Sequence, residues 1–138
     1  MSRWEYFDHG ADIGVRGIGR SRSEAFRQAA LALAALVADP QSVRPERSLG
    51  IVCAAPDDDI LLFDWLNRLV YLMSSNDMIF HDFHVTVTDG GLAAMASGEP
   101  VDRRRHEIRV EPKGATYTEL SVAKTATGDW IAQCVIDV

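Results

Sequence analysis

Basic residues are few in this 138-residue sequence: fourteen Lys and Arg stand against twenty Asp and Glu, a net charge of −6. Holding a nucleic-acid backbone rests on many phosphate-neutralising cations, so strong direct nucleic-acid binding is not expected. Cysteine is scarcer still. Cys53 and Cys134 are far apart, with no C-x-x-C pair and no neighbouring His. That pattern disfavours a disulfide or a zinc site and suits two small buried hydrophobes. The longest near-apolar stretch, Ile60 to Met73, is interrupted by Asp64, Asn67 and Arg68 and is too short to span a bilayer. The opening MSRWEYFDHG has no apolar leader, so a soluble cytoplasmic protein is expected. Catalytic signatures are missing as well. There is no G-x-S-x-G elbow and no H-E-x-x-H helix. Gly17-x-Gly19 lacks the third glycine of a nucleotide loop, Arg22 standing in its place, and reads better as bend glycines.

With 47% apolar and 25% charged residues, the chain has the make-up of one globular domain over residues 1–138. Alternation in Trp4, Tyr6 and Asp8, and again from Ile13 to Val15, predicts two opening strands, broken at Gly17 and Gly19. Ser21-Arg22-Ser23-Glu24 is a capping box, and apolar residues recur at helical spacing from Ala25 to Val37, ahead of Asp39-Pro40. A third strand is expected over Leu49–Ala55. A largely buried helix follows from Ile60 to about Ser75, with Asp57, Asp58 and Asp59 as its cap and first-turn acids. The rest reads as β: Phe83–Val87, a turn at Asp89-Gly90-Gly91, Leu92–Ser97, then His106–Val110, Thr118–Val122 and Trp130–Val138. The order ββαβαβββββ predicts an α+β fold, two helices packed on antiparallel or mixed sheets.

The densest chemistry lies at the two extremities. Asp8-His9-Gly10-Ala11-Asp12 sets two carboxylates and an imidazole on the connection between the first two strands, where Asp and Gly also serve ordinary turns. At the other end Asp137 neighbours the carboxylate of Val138. Should the last strand return beside Asp12, three carboxylates converge, and such a cluster needs a compensating cation. Oxygen ligands without thiolate suit a hard ion, Ca²⁺ or Mg²⁺, rather than zinc. The basic run Arg103-Arg104-Arg105 before His106 reads as a solvated loop able to touch phosphate or an acidic partner.

Asp8-His9-Gly10-Ala11-Asp12-Ile13-Gly14 resembles the opening D-H-T-A-D-[IV]-G of the archease family. Ser23-Glu24-Ala25-Phe26 with Ala29-Ala30-Leu31-Ala32-Leu33 resembles that family's first helix, and Leu61-Leu62-Phe63-Asp64-Trp65-Leu66-Asn67 its second. Gly98-Glu99 followed by His106, Lys113 with Ala115-Thr116-Tyr117, and the ending Val135-Ile136-Asp137-Val138 continue the series in order. Two positions depart from it. Gly10 stands where threonine is usual, which is expected to loosen the turn presenting Asp12, and Thr118 stands where histidine is common.

The resemblance implies an accessory protein rather than an enzyme. Its implied partner is the RNA ligase that joins 2′,3′-cyclic-phosphate or 3′-phosphate ends to 5′-hydroxyl ends in tRNA splicing or RNA repair. Its implied action is to promote guanylylation and repeated turnover of that ligase. It also implies a bound divalent cation, usually calcium, with Mg²⁺ or Mn²⁺ as alternatives, on Asp12, Asp137 and Val138. Asp8, His9 and His106 are assigned as supporting or partner-facing residues. An alternative role in the family is a chaperone or specificity factor for RNA-modifying enzymes such as a tRNA methyltransferase. A free-standing metal-dependent hydrolase built on Asp8, His9 and Asp12 ranks last, because no nucleophile–base pair can be assembled.

Overall fold

The computed structural model describes residues 2–138. Strands β1 (Arg3–His9) and β2 (Asp12–Gly19) form a hairpin, followed by helix α1 (Arg22–Val37) and a 3₁₀ turn at Pro40–Ser42. Then come β3 (Arg47–Ala54), α2 (Asp58–Ser75), the long hairpin β4 (Met78–Thr88) and β5 (Gly91–Pro100), and finally β6 (Gly114–Ala115), β7 (Ser121–Lys124) and β8 (Trp130–Asp137). The order ββαβαβββββ is the expected one, and the fold is α+β. Both sheets are antiparallel throughout: five strands with β1-β2-β8-β6 in sequence and β7 also on β8, and three strands ordered β3-β5-β4.

The helices form where the sequence caps them. The Ser21 hydroxyl accepts from Glu24 N–H at the start of α1, and Asp57 accepts from Ile60 N–H at the start of α2, each satisfying an orphan donor of the first turn. Both helices lie between the two sheets. Tyr6 of β1 donates its hydroxyl proton to Ala32 O, while Ser23 and Arg27, on the other side of α1, bond Val87 N–H and Phe83 O of β4. α2 is tied to the larger sheet by Asp59 and Asn67, which accept from Val122 N–H and Ala115 N–H. Its Trp65 donates to Phe26 O and meets the Phe83 ring edge-on. Contact on several sides explains why α1 is apolar around most of its circumference.

Three sequence expectations change. β2 runs on through Gly17 and Gly19, which are close-approach rather than bend glycines: a Cβ on Gly17 would strike the backbone of Ala25 and Ala29 in α1. The alternating His106–Val110 segment is not a strand. It is irregular chain whose Arg109 N–H bonds Val37 O at the end of α1, and the β6 position falls instead to Gly114–Ala115. The strand expected over Thr118–Val122 starts at Ser121, because Tyr117 to Leu120 bend past β8 with Glu119 at φ 53°.

The contact between Gly17 and α1 generates a prediction. Gly17→Ala forces the helix off the sheet, and overpacking of this kind typically costs about 1–3 kcal/mol. Urea unfolding should show a lowered midpoint, with Gly128→Ala, whose position has open space but positive φ, as the milder comparison.

Candidate metal centre at the meeting of the chain ends

β8 lies against β2, with Ile136 opposite Ile13, Cys134 opposite Val15 and Ala132 opposite Gly17. Side chains alternate across a strand, and these residues all face the helices: Val15, Ala132, Cys134 and Ile136 are core residues. The next residue along each strand therefore faces away from the helices. Those residues are Asp12 and Asp137, one step beyond the Ile13–Ile136 pair. Directly opposed residues of antiparallel strands hold their Cβ atoms about 4.5–5.5 Å apart. Asp12 is half-buried and Asp137 exposed. Val138 follows at once, its side chain packed against the core, so the last residue is anchored rather than frayed.

The neighbours of this pair come from the flanking strands. His9 is opposite Asp12 across the β1–β2 hairpin and so shares its face, and it is exposed. Asp8 is opposite Ile13 and so lies on the other face of β1 from His9, away from the acidic pair. The constellation Asp8, His9 and Asp12 is therefore not assembled on one face. On the far side of β8, Gly114 is opposite Asp137 and Lys113 N–H donates to Asp137 O at 2.8 Å. Among the described residues no group of three or more His, Cys, Asp or Glu side chains is arranged to hold a metal ion. The oxygen donors at this end are two side-chain carboxylates and the Val138 carboxylate, an all-oxygen set that fits a hard cation. Neither aspartate forms an ion pair with a basic side chain among the described residues.

The turn that presents Asp12 is tight. Gly10 and Ala11 alone separate the His9–Asp12 pair, and Gly10 has φ 63° with no positive φ at Ala11. A two-residue hairpin of that kind favours glycine at its first position. The substitution expected to loosen this turn instead fits the left-handed conformation found there.

His106 is placed elsewhere, and it does not face a partner. It is 4% exposed. Its Nδ1 accepts from Asp102 N–H at 2.9 Å, which puts the ring proton on Nε2, facing Glu99 Oε2 at 3.1 Å. Glu99 is itself buried and takes bonds from Arg105, from Arg44 N–H and from His106. The Arg105 hydrogen bond outweighs burial, and with the Arg44 and His106 bonds it lowers the Glu99 carboxyl to about 2. The basic run is thus partly structural: Arg105 closes over Glu99, and Arg103 reaches Glu111 at 3.8 Å on the surface.

Two residues of the chain that runs alongside β8 received no role from the sequence. Lys113 was legible only as part of a motif, because its tie to Asp137 runs through the backbone. Tyr117, 68% exposed, stacks on Phe63 of α2 at 4.4 Å with the rings nearly parallel. Both cysteines are free, and burial raises the pKa of each thiol.

Residues 4–138 match the model of the Archease protein family (MTH1598/TM1083). Proteins named archease from Thermococcus gammatolerans and Pyrococcus abyssi are 37% and 35% identical to this chain, each aligned over the full length of both sequences. The solution structure of Methanobacterium thermoautotrophicum protein 1598 superposes with a TM-score of 0.81 at 27% identity, covering 98% of both chains. A Thermotoga maritima crystal structure, described as an archease, "possible chaperone", shares the fold at TM-score 0.65 and 18% identity, covering 97% of this chain and 96% of that one. The chain belongs to the archease family. No helix among the described residues is long and apolar enough to cross a membrane.

The Glu99 cluster generates a pH prediction. A carboxyl whose folded pKa is depressed contributes stability above its unfolded value and loses it as pH falls through the folded value. The contribution is therefore full above about pH 5 and fades toward pH 2. Glu99→Gln should cost about 2–4 kcal/mol at pH 7, by breaking a buried charged hydrogen-bond cluster. The gap between wild-type and variant melting temperatures should narrow as the pH is lowered from 5 to 3.

Proposed function

We propose that this protein is an accessory factor, not itself a catalyst, that activates the ligase joining RNA 3′-phosphate or 2′,3′-cyclic-phosphate ends to 5′-hydroxyl ends. It promotes guanylylation and multiple turnover of that enzyme in tRNA splicing or RNA repair. The observation that supports the reading is the β2–β8 register, in which Asp12 and Asp137 are each the residue next to the Ile13–Ile136 pair, on the face turned away from the helices. Membership of the archease family supports an accessory role in general.

Asp12, Asp137 and the Val138 carboxylate would hold a divalent cation, of the calcium class by their oxygen chemistry, with Mg²⁺ or Mn²⁺ also suited. When bound, the ion would supply a compact positive charge that neutralises the acidic cluster and attracts phosphate oxygens. The chain's own part is positional. The core face of β2 and β8 fixes the strand register, the Gly10 turn fixes Asp12, and Lys113 and Gly114 hold Asp137 from the other side. Exposure of the site at a sheet end leaves it open to a partner's surface. His9 stands at its rim as a supporting or partner-facing group.

A second reading, a chaperone or specificity factor for RNA-modifying enzymes such as a tRNA methyltransferase, draws on the description "possible chaperone" given to the Thermotoga protein. It needs no ion. The two readings separate in a guanylylation assay of the ligase with GTP and Mn²⁺, followed over many turnovers, beside calorimetric titration of Ca²⁺ and Mn²⁺. Asp12→Asn and Asp137→Asn should each weaken ion affinity by about tenfold or more and lose stimulation, with melting temperature unchanged or raised. Appending residues after Val138 should do the same. Full stimulation by both aspartate variants would overturn the ion-dependent reading, and metal-independent suppression of methyltransferase aggregation would favour the second.

A further inference from the structure

The three-stranded sheet has two edges, and the fold treats them differently. The outer edge of β4 is occupied. Val87 N–H bonds Ser23 Oγ, Phe83 O accepts from Arg27, His81 reaches Pro40 O, and a register shift between Phe80 and Asp82 interrupts the strand. The outer edge of β3 has none of these. Its eight residues, RSLGIVCA, pair with β5 in unbroken register and carry one charge, Arg47, at the end. Among the described residues no side chain or backbone group bonds its free side. Natural proteins normally blunt such an edge with charges, prolines or bulges.

A groove of about 470 Å³ runs along this edge, between Val52, Cys53 and Ala54 of β3 and Asp64, Arg68 and Tyr71 of α2. Val52 is 73% and Tyr71 57% exposed. Asp64 and Arg68 form no ion pair among the described residues. They stand one helical turn apart, about 6 Å along the axis, close to the roughly 6.6 Å between alternate residues of a strand. An edge strand flanked by a helix is the arrangement that takes up an extended peptide as an added strand.

We propose that the free edge of β3 accepts an extended segment of a partner protein as a further strand, seated between β3 and α2. The segment turns an acidic residue toward Arg68 and a basic one two positions away toward Asp64, both on the α2 side. It sets apolar side chains at the alternate positions on the opposite face beside Val52, because Ile51 and Cys53 of β3 point to the core and Val52 away from it. A second copy of this chain fits less well. Two-fold pairing of β3 with β3 puts both α2 helices on one face, where each claims the groove the other strand must fill. The proposal is separate from the ion-dependent reading, because the groove is lined by none of the acidic-end residues.

The test is to pan the full-length protein, in buffer containing chelator, against phage-displayed random dodecapeptides, and then to follow backbone amide exchange with the strongest peptide synthesised. Enriched peptides should alternate and carry opposite charges two residues apart. Binding should slow exchange of amides within residues 47–54 while leaving β1 unchanged. Arg68→Glu should weaken binding about three- to tenfold, and replacing the peptide's acidic residue by Lys should restore it. Unaltered exchange in α1 would show that this variant is folded. The proposal is overturned if no peptide is enriched, if protection falls outside β3, or if β3 amides become protected with protein concentration alone.

Discussion

The pairing of β2 with β8 is the constraint on which the rest of the molecule depends. It joins the second strand of the chain to the last and closes the larger sheet over α1 and α2. Its register is fixed by burial. Val15, Cys134, Ala132 and Ile136 must all face the helices, and a slip of one residue would turn one strand's apolar set outward and bring its charged neighbour in. The position of Asp12 beside Asp137 is thus set by hydrophobic residues on the opposite face, and nothing in the acidic pair itself has to specify it.

That pair works against the fold that places it. Like charges directly opposed on neighbouring strands are destabilising, and no basic side chain among the described residues makes an ion pair with either aspartate. Glu99 offers the contrast within the same protein. Its carboxylate is buried but surrounded by Arg105, His106 and Arg44 N–H, each meeting it with a donor. One acidic group is fully satisfied and structural, and the other two are left at an open sheet end. Local disagreement with the rules that stabilise the rest is the usual mark of a functional site.

Local signals in the sequence carried most of the architecture. The capping residues Ser21 and Asp57, the helical spacing from Ala25 to Val37 and the Asp89-Gly90-Gly91 turn act over a few residues, and the structure uses each where expected. Signals that depend on a distant neighbour were not legible. His106–Val110 alternates like a strand, but alternation says nothing about whether an edge is available, and β8 offers its edge to Gly114–Ala115. Gly17 reads as a break until α1 is known to pass over it. For the site, the residue types were legible and the faces were not. Asp8 and Asp12 look equivalent in sequence, and only the hairpin register separates them. His106 looked available because its burial depends on Glu99, which is itself met by Arg44 N–H from a distant loop and by Arg105.

The segment between β5 and β6 joins these two outcomes. It leaves the smaller sheet at Pro100 and is held at once by Val101 N–H on Asp77 O and by the Glu99 cluster. It then bonds Val37 O at the end of α1, and it reaches the larger sheet at Lys113, on Asp137 O. Chain without regular structure is ordinarily mobile, yet this stretch has a buried anchor at one end and a sheet at the other. Its far end pins β8 on the side opposite β2, so the last strand is clamped between two neighbours up to Asp137 and is kept from fraying. The buried carboxylate of Glu99 in one sheet and the exposed carboxylate of Asp137 in the other are linked by one strap of backbone, and the irregularity that defeated the strand expectation is what lets that strap cross from sheet to sheet.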